Sequence, residues 1–164
     1  MSKIGIYPGT FDPITYGHID VIRRSLKMVN KLIIAVSNDN SKNYLFSAEE
    51  RVEIIKKALF KDLKFNSRNL KVLQFNKLTT SLCYDYKATI IFRGLRAVSD
   101  FEYEFQLAGM NRRLNKKVET VFLMSDPDKQ VISSKFVKEI AKLNGKISDF
   151  VTKSTKEFLK KKYD

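Results

Sequence analysis

Lys3-Ile4-Gly5-Ile6-Tyr7, followed by Pro8-Gly9-Thr10-Phe11-Asp12-Pro13-Ile14-Thr15-Tyr16-Gly17-His18, is the stretch from which the rest of the chain can be read. The first five residues are a short, largely apolar run of strand type. Beyond His18, Ile19, Ile22 and Leu26 recur at helical spacing. The segment is therefore a strand, a stiff turn and a helix. Gly9 stands at the strand exit and Pro8 and Pro13 restrict the turn. A glycine there lets backbone N–H groups approach an anion, and the helix N-terminus adds partial positive charge, so phosphate is the expected ligand. The spacing is neither the G-x-G-x-x-G of a dinucleotide fold nor the G-x-x-x-x-G-K-[ST] of a Walker loop. His18 is the only histidine. A lone histidine is most often satisfied by a backbone carbonyl, but one in the first helical turn, preceded by Gly17, is placed to face the anion site.

Outward from this unit, short β-branched runs alternate with stretches of helical period. Strands are expected at Lys3–Tyr7, Lys31–Ser37, Lys71–Phe75, Thr89–Arg93 and Val118–Met124. Ile33–Val36 and Thr89–Phe92 are continuously apolar, as in central strands covered on both faces. The fold class expected is α/β: a doubly wound, Rossmann-like, five-stranded parallel sheet with helices on both faces, as one domain over residues 1–164. Ser47 with Glu50, and Ser99 with Glu102, each have the spacing of a capping box. Val52, Ile55 and Leu59 form a buried stripe after the first, and Phe101, Phe105, Leu107 and Ala108 one after the second. Phe136, Val137, Ile140 and Ala141 mark another helix, stopped at Asn144-Gly145, and Ser154 to Glu157 open a last one. In such a sheet, ligands bind beyond the carboxyl ends of the strands where the strand order reverses.

At 164 residues, with 43% hydrophobic and 30% charged side chains, the chain has the size of one domain and the composition of a packed protein, not of a disordered one. A lone cysteine, Cys83, leaves no internal disulfide, and one histidine leaves no Cys/His cluster for structural zinc. Cys83 is expected as a small buried hydrophobe on the helix before strand four. Without a signal-peptide pattern or a long apolar run, a cytoplasmic location and no membrane partner are expected. The net charge of +13 suggests polyanions. The basic residues are spread along the chain, however, without an aromatic-interleaved motif, so a solvated lysine surface is favoured over specific nucleic-acid binding.

Four ordered blocks carry a resemblance. They are Pro8 to Asp20; Phe46-Ser47 with Glu49-Glu50-Arg51-Val52; Arg93-Gly94-Leu95-Arg96-Ala97-Val98 with Asp100 to Glu104; and Ile132-Ser133-Ser134 with Val137-Lys138-Glu139. Together they resemble the bacterial phosphopantetheine adenylyltransferases of the nucleotidyltransferase superfamily, whose Gly-His pair is related to the HIGH motif of class I aminoacyl-tRNA synthetases. The resemblance implies a nucleotidyltransferase fold and transfer of an adenylyl group from ATP to 4′-phosphopantetheine. It further implies Mg2+, a homohexamer and inhibition by coenzyme A. The acceptor phosphate is already an anionic nucleophile, so the chemistry asks for positioned cations and donors rather than a covalent intermediate or a strong base.

By the same resemblance, Thr10, His18, Lys42 and Arg96 would be catalytic, with His18 donating to the α-phosphate and expected to tolerate or prefer its protonated form. ATP would be met by Thr10, Phe11, His18, Gly94, Leu95, Arg96 and Glu104. A closing segment would add Lys129, Gln130, Val131, Ile132, Ser133, Ser134 and Lys135, and the chain departs there from the usual family pattern, an aromatic near Gln130 and a serine at Lys135. The acceptor would be met by Thr10, Lys42, Thr79 and Arg93. Alternatives remain open: a transferase acting on nicotinamide mononucleotide or a polyol phosphate, a nucleic-acid-binding module, and a silent scaffold.

Overall fold

A computed structural model describes residues 2–164. Five parallel strands, β1 (Ile4–Gly9), β2 (Lys31–Ser37), β3 (Leu70–Phe75), β4 (Ile90–Leu95) and β5 (Glu119–Met124), form one sheet in the order β3-β2-β1-β4-β5. Helices α1 (Tyr16–Ser25), α2 (Ala48–Lys56), α3 (Thr79–Tyr86) and α4 (Val98–Leu114) provide the crossovers, and α5 (Ser134–Lys142) and α6 (Lys153–Tyr163) follow β5. The parallel, doubly wound α/β architecture expected from the alternating pattern is present. Its strand order reverses between β1 and β4, so their carboxyl ends diverge into a crevice. Among the described residues no helix is long and apolar enough to cross a membrane.

Alternation along the strands feeds two cores. Tyr7, Leu32, Ile34, Val36, Ile90 and Phe92 face the larger one, which also takes Ile19 and Ile22 of α1, Ile54 and Ile55 of α2, Val137 of α5 and Leu159 of α6. Ile6, Ile33, Ala35 and Ile91 face the smaller one, closed by Leu82 and Cys83 of α3. Cys83 is fully buried there, as its sequence context implies, and burial pushes its thiol up to about 11.

The Ser47–Glu50 capping box forms: Ser47 Oγ accepts the Glu50 N–H at 3.1 Å and Glu50 Oε2 accepts the Ser47 N–H at 2.8 Å. The stop at Asn144 also forms, with φ of 59° at Asn144 and the Gly145 N–H reaching the Ile140 carbonyl. Three expectations fail. α4 starts at Val98 with Ala97 as its uncapped N-cap, which places Ser99 inside the helix instead of at its boundary. Its aromatic stripe is not core: Phe101 and Phe105 are 47% and 64% exposed, with only Leu107 and Ala108 of the expected stripe half-buried, because the helix turns Glu104 inward instead. α6 starts at Lys153 behind Thr152, and the Ser154 hydroxyl is drawn off to Asp62 at 2.8 Å.

Candidate active site

The strand-order reversal opens into a cavity of about 880 Å³. Its floor is the β1 exit, its walls are the ends of β2 and β4, and its rim comprises the loop carrying Lys42, the inner face of α4 and the N-terminus of α5. Gly9 has a packing reason at this exit. A Cβ there would stand 2.9 Å from the Phe11 ring, which is buried edge-on to Tyr7 and 5.0 Å from the His18 ring centroid. Phe11 itself adopts φ of 50°, which turns the chain sharply after the strand.

His18 lines the cavity, and its tautomer follows from its partner. The Thr15 N–H donates to Nδ1 at 3.0 Å, with Thr15 Oγ1 3.1 Å from the same nitrogen. His18 thus occupies the place that glutamate takes in an ordinary capping box, three residues after Thr15. That signal was available in the sequence, in the Thr15-x-x-His18 spacing. With Nδ1 accepting, the neutral ring carries its proton on Nε2. Burial, and then the Arg96 charge, lower its pKa to about 4. In the ligand-free chain the ring is neutral, and the donor it presents is Nε2–H.

The cations divide into held and free. Arg93 donates Nε to Glu104 Oε2 at 2.8 Å, Nη2 to Glu104 Oε1, and Nη1 to the Pro8 carbonyl at 2.9 Å. Arg93 and Glu104, expected on different substrates, are thus one fork-to-fork pair, its carboxylate buried and its guanidinium half-buried, joining β4 to α4. Lys138 of α5 donates to Asp12 at 2.9 Å, and the same carboxylate accepts the N–H groups of Leu45 and Phe46 at 2.9 and 3.0 Å. This buried aspartate stitches three rims of the cavity together. Arg96 is only loosely paired, 3.9 Å from Asp100, while Lys42 and Lys135 form no ion pair among the described residues. The uncompensated charge in the cavity is positive, as a polyanion requires.

Thr10, Phe11, His18, Lys42, Thr79, Arg93, Gly94, Arg96, Glu104, Ile132, Ser133, Ser134 and Lys135 all line this one cavity. Four expected ATP contacts do not. Leu95 is buried beneath the sheet end, since its side chain alternates away from Gly94 and Arg96. Lys129, Gln130 and Val131 fall outside the wall, in and after the 3-10 turn Pro127–Lys129, with Val131 76% exposed. Ser133 caps α5 by accepting the Phe136 N–H at 3.2 Å. Ser134, the next residue, donates its hydroxyl to the Pro13 carbonyl at 2.7 Å. Tyr103 and Asn111, on the same side of α4 as Glu104, also line the cavity; Tyr103 stood inside the matching block Asp100 to Glu104 without being singled out, and Asn111 had no signal in sequence. Among the described residues no group of three His, Cys, Asp or Glu side chains could hold a metal ion.

The cytidylyltransferase-like family model matches residues 6–140. A phosphopantetheine adenylyltransferase of Pelagibacter ubique (strain HTCC1062) is 63% identical over 164 residues, covering all of both chains. One of Rhodospirillum rubrum is 48% identical over 163 residues, covering 99% of this chain and 94% of the relative. Among solved structures, the Plasmodium falciparum nicotinic acid mononucleotide adenylyltransferase complexed with NaAD superposes with a TM-score of 0.72 at 17% identity, covering 98% of this chain and 96% of that one. A bifunctional NMN adenylyltransferase/ADP ribose pyrophosphatase from Francisella tularensis gives 0.74 at 14% identity, covering 98% of this chain and 49% of that one. At such identities the two structures speak for the fold alone.

Proposed function

The chain belongs to the cytidylyltransferase-like family and, within it, to the phosphopantetheine adenylyltransferases, and from that membership we propose that it transfers the adenylyl group of ATP to 4′-phosphopantetheine. An oxygen of the acceptor phosphate bonds to the α-phosphorus as the bond from that phosphorus to the pyrophosphate oxygen breaks. Dephospho-coenzyme A and pyrophosphate leave. The observation that carries the reading is the convergence of Thr10, His18, Lys42, Arg93 and Arg96, from separate segments, on one positive cavity at the strand-order reversal.

The chemistry there is positioning and charge stabilisation. The neutral Nε2–H of His18 donates to a non-bridging oxygen of the α-phosphate, where charge grows during displacement. Lys42, on an exposed loop without a carboxylate partner among the described residues, meets the acceptor phosphate as a mobile cation. Arg96, Ser133 and Lys135, at the end of β4 and the start of α5, serve the triphosphate. Arg93, held by Glu104 and Pro8, retains N–H groups beyond the three engaged and offers them to the acceptor from a fixed position.

Mg2+ belongs to this reading as part of the ATP complex. The side chains present do not build a protein cage for it, and Mg2+ ordinarily keeps waters and phosphate oxygens as ligands. A homohexamer in the cytoplasm is the assembly and location we assign. Self-association is supported by the exposed Val98, Phe101 and Phe105, which lie together on one side of α4. The test is pyrophosphate release with ATP and a panel of acceptors. Turnover with 4′-phosphopantetheine and none with nicotinamide mononucleotide is expected. The reverse preference would assign the site to a different mononucleotide acceptor.

A further inference from the structure

Arg51 is fully buried and takes no part in the chemistry above. Its guanidinium is surrounded by main-chain carbonyls: Nη1 donates to Thr10 and Ser37, both at 2.8 Å, and Nε to Phe46 and Ser47 at 3.2 and 3.3 Å. Its carbon lies 4.0 Å from the centroid of the Tyr44 ring. Nη2 is buried with no partner at all, and no carboxylate pairs with the side chain among the described residues.

A buried guanidinium without a counter-ion is costly, and burial lowers its affinity for its proton without discharging it. What the arrangement provides is geometry. Ser37 ends β2 and Phe46 precedes α2, so the two carbonyls are the two ends of the loop that carries Lys42. The third is that of Thr10, at the exit of β1. One rigid, planar group therefore fixes the span of the Lys42 loop and sets that loop against the Thr10 turn.

We propose that Arg51 is a positioning residue that holds the Lys42 loop and the Thr10 main chain at a fixed separation, and thereby aligns the acceptor phosphate with the α-phosphate. The proposal rests on the adenylyl-transfer reading, in which Lys42 and Thr10 serve the two reacting anions. Arg51 touches neither substrate. Because in-line displacement is sensitive to misplacement of about an ångström, losing this separation lowers turnover more than it lowers ATP affinity.

Arg51→Lys separates geometry from charge: it keeps a cation but replaces a planar fork with a point donor that cannot serve all these carbonyls. The experiment is a double-mutant cycle with Lys42→Ala, reading kcat/KM for 4′-phosphopantetheine and the Kd of ATP alone. In the wild type, Lys42→Ala is expected to cost on the order of 10² in kcat/KM. In the Arg51→Lys background, where the lysine is already misplaced, the same change should cost less than about tenfold, with ATP affinity changed by less than about threefold. Equal costs in both backgrounds would overturn the proposal and leave Arg51 a fold anchor only. Should Arg51→Lys not fold, Tyr44→Leu removes the ring against the guanidinium plane and runs the same cycle, with additivity again the contrary result. A wild type inactive with 4′-phosphopantetheine removes the function reading before any variant is compared. An active wild type with additive variants removes only the role of Arg51.

Discussion

A neutral imidazole whose acceptor nitrogen is tied to the Thr15 N–H can donate and cannot readily accept a second proton. Two measurable consequences follow for His18. Replacing it with Ala should lower kcat by a factor on the order of 10² or more with little change in ATP affinity, as for a lost oxyanion donor, while Asn should retain more activity than Ala. Equal kcat for the two variants would reduce His18 to a structural cap. The second consequence is in stability. The unfolded chain takes up a proton at the ordinary histidine value of 6.5, whereas the folded one resists until about 4. Between these values the unfolded state binds more protons, so stability falls as pH drops through the window. Urea denaturation of the substrate-free protein from pH 7 to 4 should show this loss, and His18→Asn should flatten it. Cys83 gives a third expectation: buried and with its thiol pushed up to about 11, it should react slowly with alkylating reagents in the native state, and Cys83→Ser should leave kcat close to normal. Substrate-protected inactivation by a thiol reagent would contradict that.

At the scale of elements, β4 and α4 are joined by a half-buried ion pair rather than by apolar contact alone. Arg93→Ala leaves the Glu104 carboxylate buried without its partner and should cost about 3 kcal/mol of stability in chemical denaturation. Lys42→Ala, on an exposed loop, should cost less than about 0.5 kcal/mol. If the two were equally stable, the Arg93–Glu104 pair would not be the strut assigned here. The same contrast explains what was legible in sequence. β2 lies at Lys31–Ser37 as read, because a continuous apolar run buried on both faces leaves little choice of state, and the other strands differ from their reading at the ends by a residue or two. The face of α4 was not legible. Its aromatic residues satisfy a helical stripe, but a charge pair formed with a distant strand rotates the helix, and local periodicity carries no record of that partner. On the α5 side the block of matching residues from Lys129 to Lys135 contains both turn and wall, and the wall begins at Ile132, one residue before the cap at Ser133, a boundary that the matching block does not mark.

For the molecule as a whole, the reversal between β1 and β4 brings the Thr10 turn and the Arg93–Arg96 strand end to one crevice, and the remaining rims are tied to it by Asp12 and Arg51. The outer surface of α4 leaves Val98, Phe101 and Phe105 uncovered in the single chain. Light scattering after size exclusion should give the mass of six chains, and Phe105→Asp should shift it to smaller species; a monomer for the wild type would leave the patch without its assigned occupant. In the proposed reaction the acceptor phosphate is itself the nucleophile, so the adenylyl group should move in one displacement. Turnover of a P-chiral α-thio analogue of ATP with 4′-phosphopantetheine, followed by assignment of the configuration at phosphorus in the product, reads that step directly. Inversion is the expected result. Retention would require an adenylylated protein between substrate and product, and absence of any adenylylated 4′-phosphopantetheine would contradict the reaction itself.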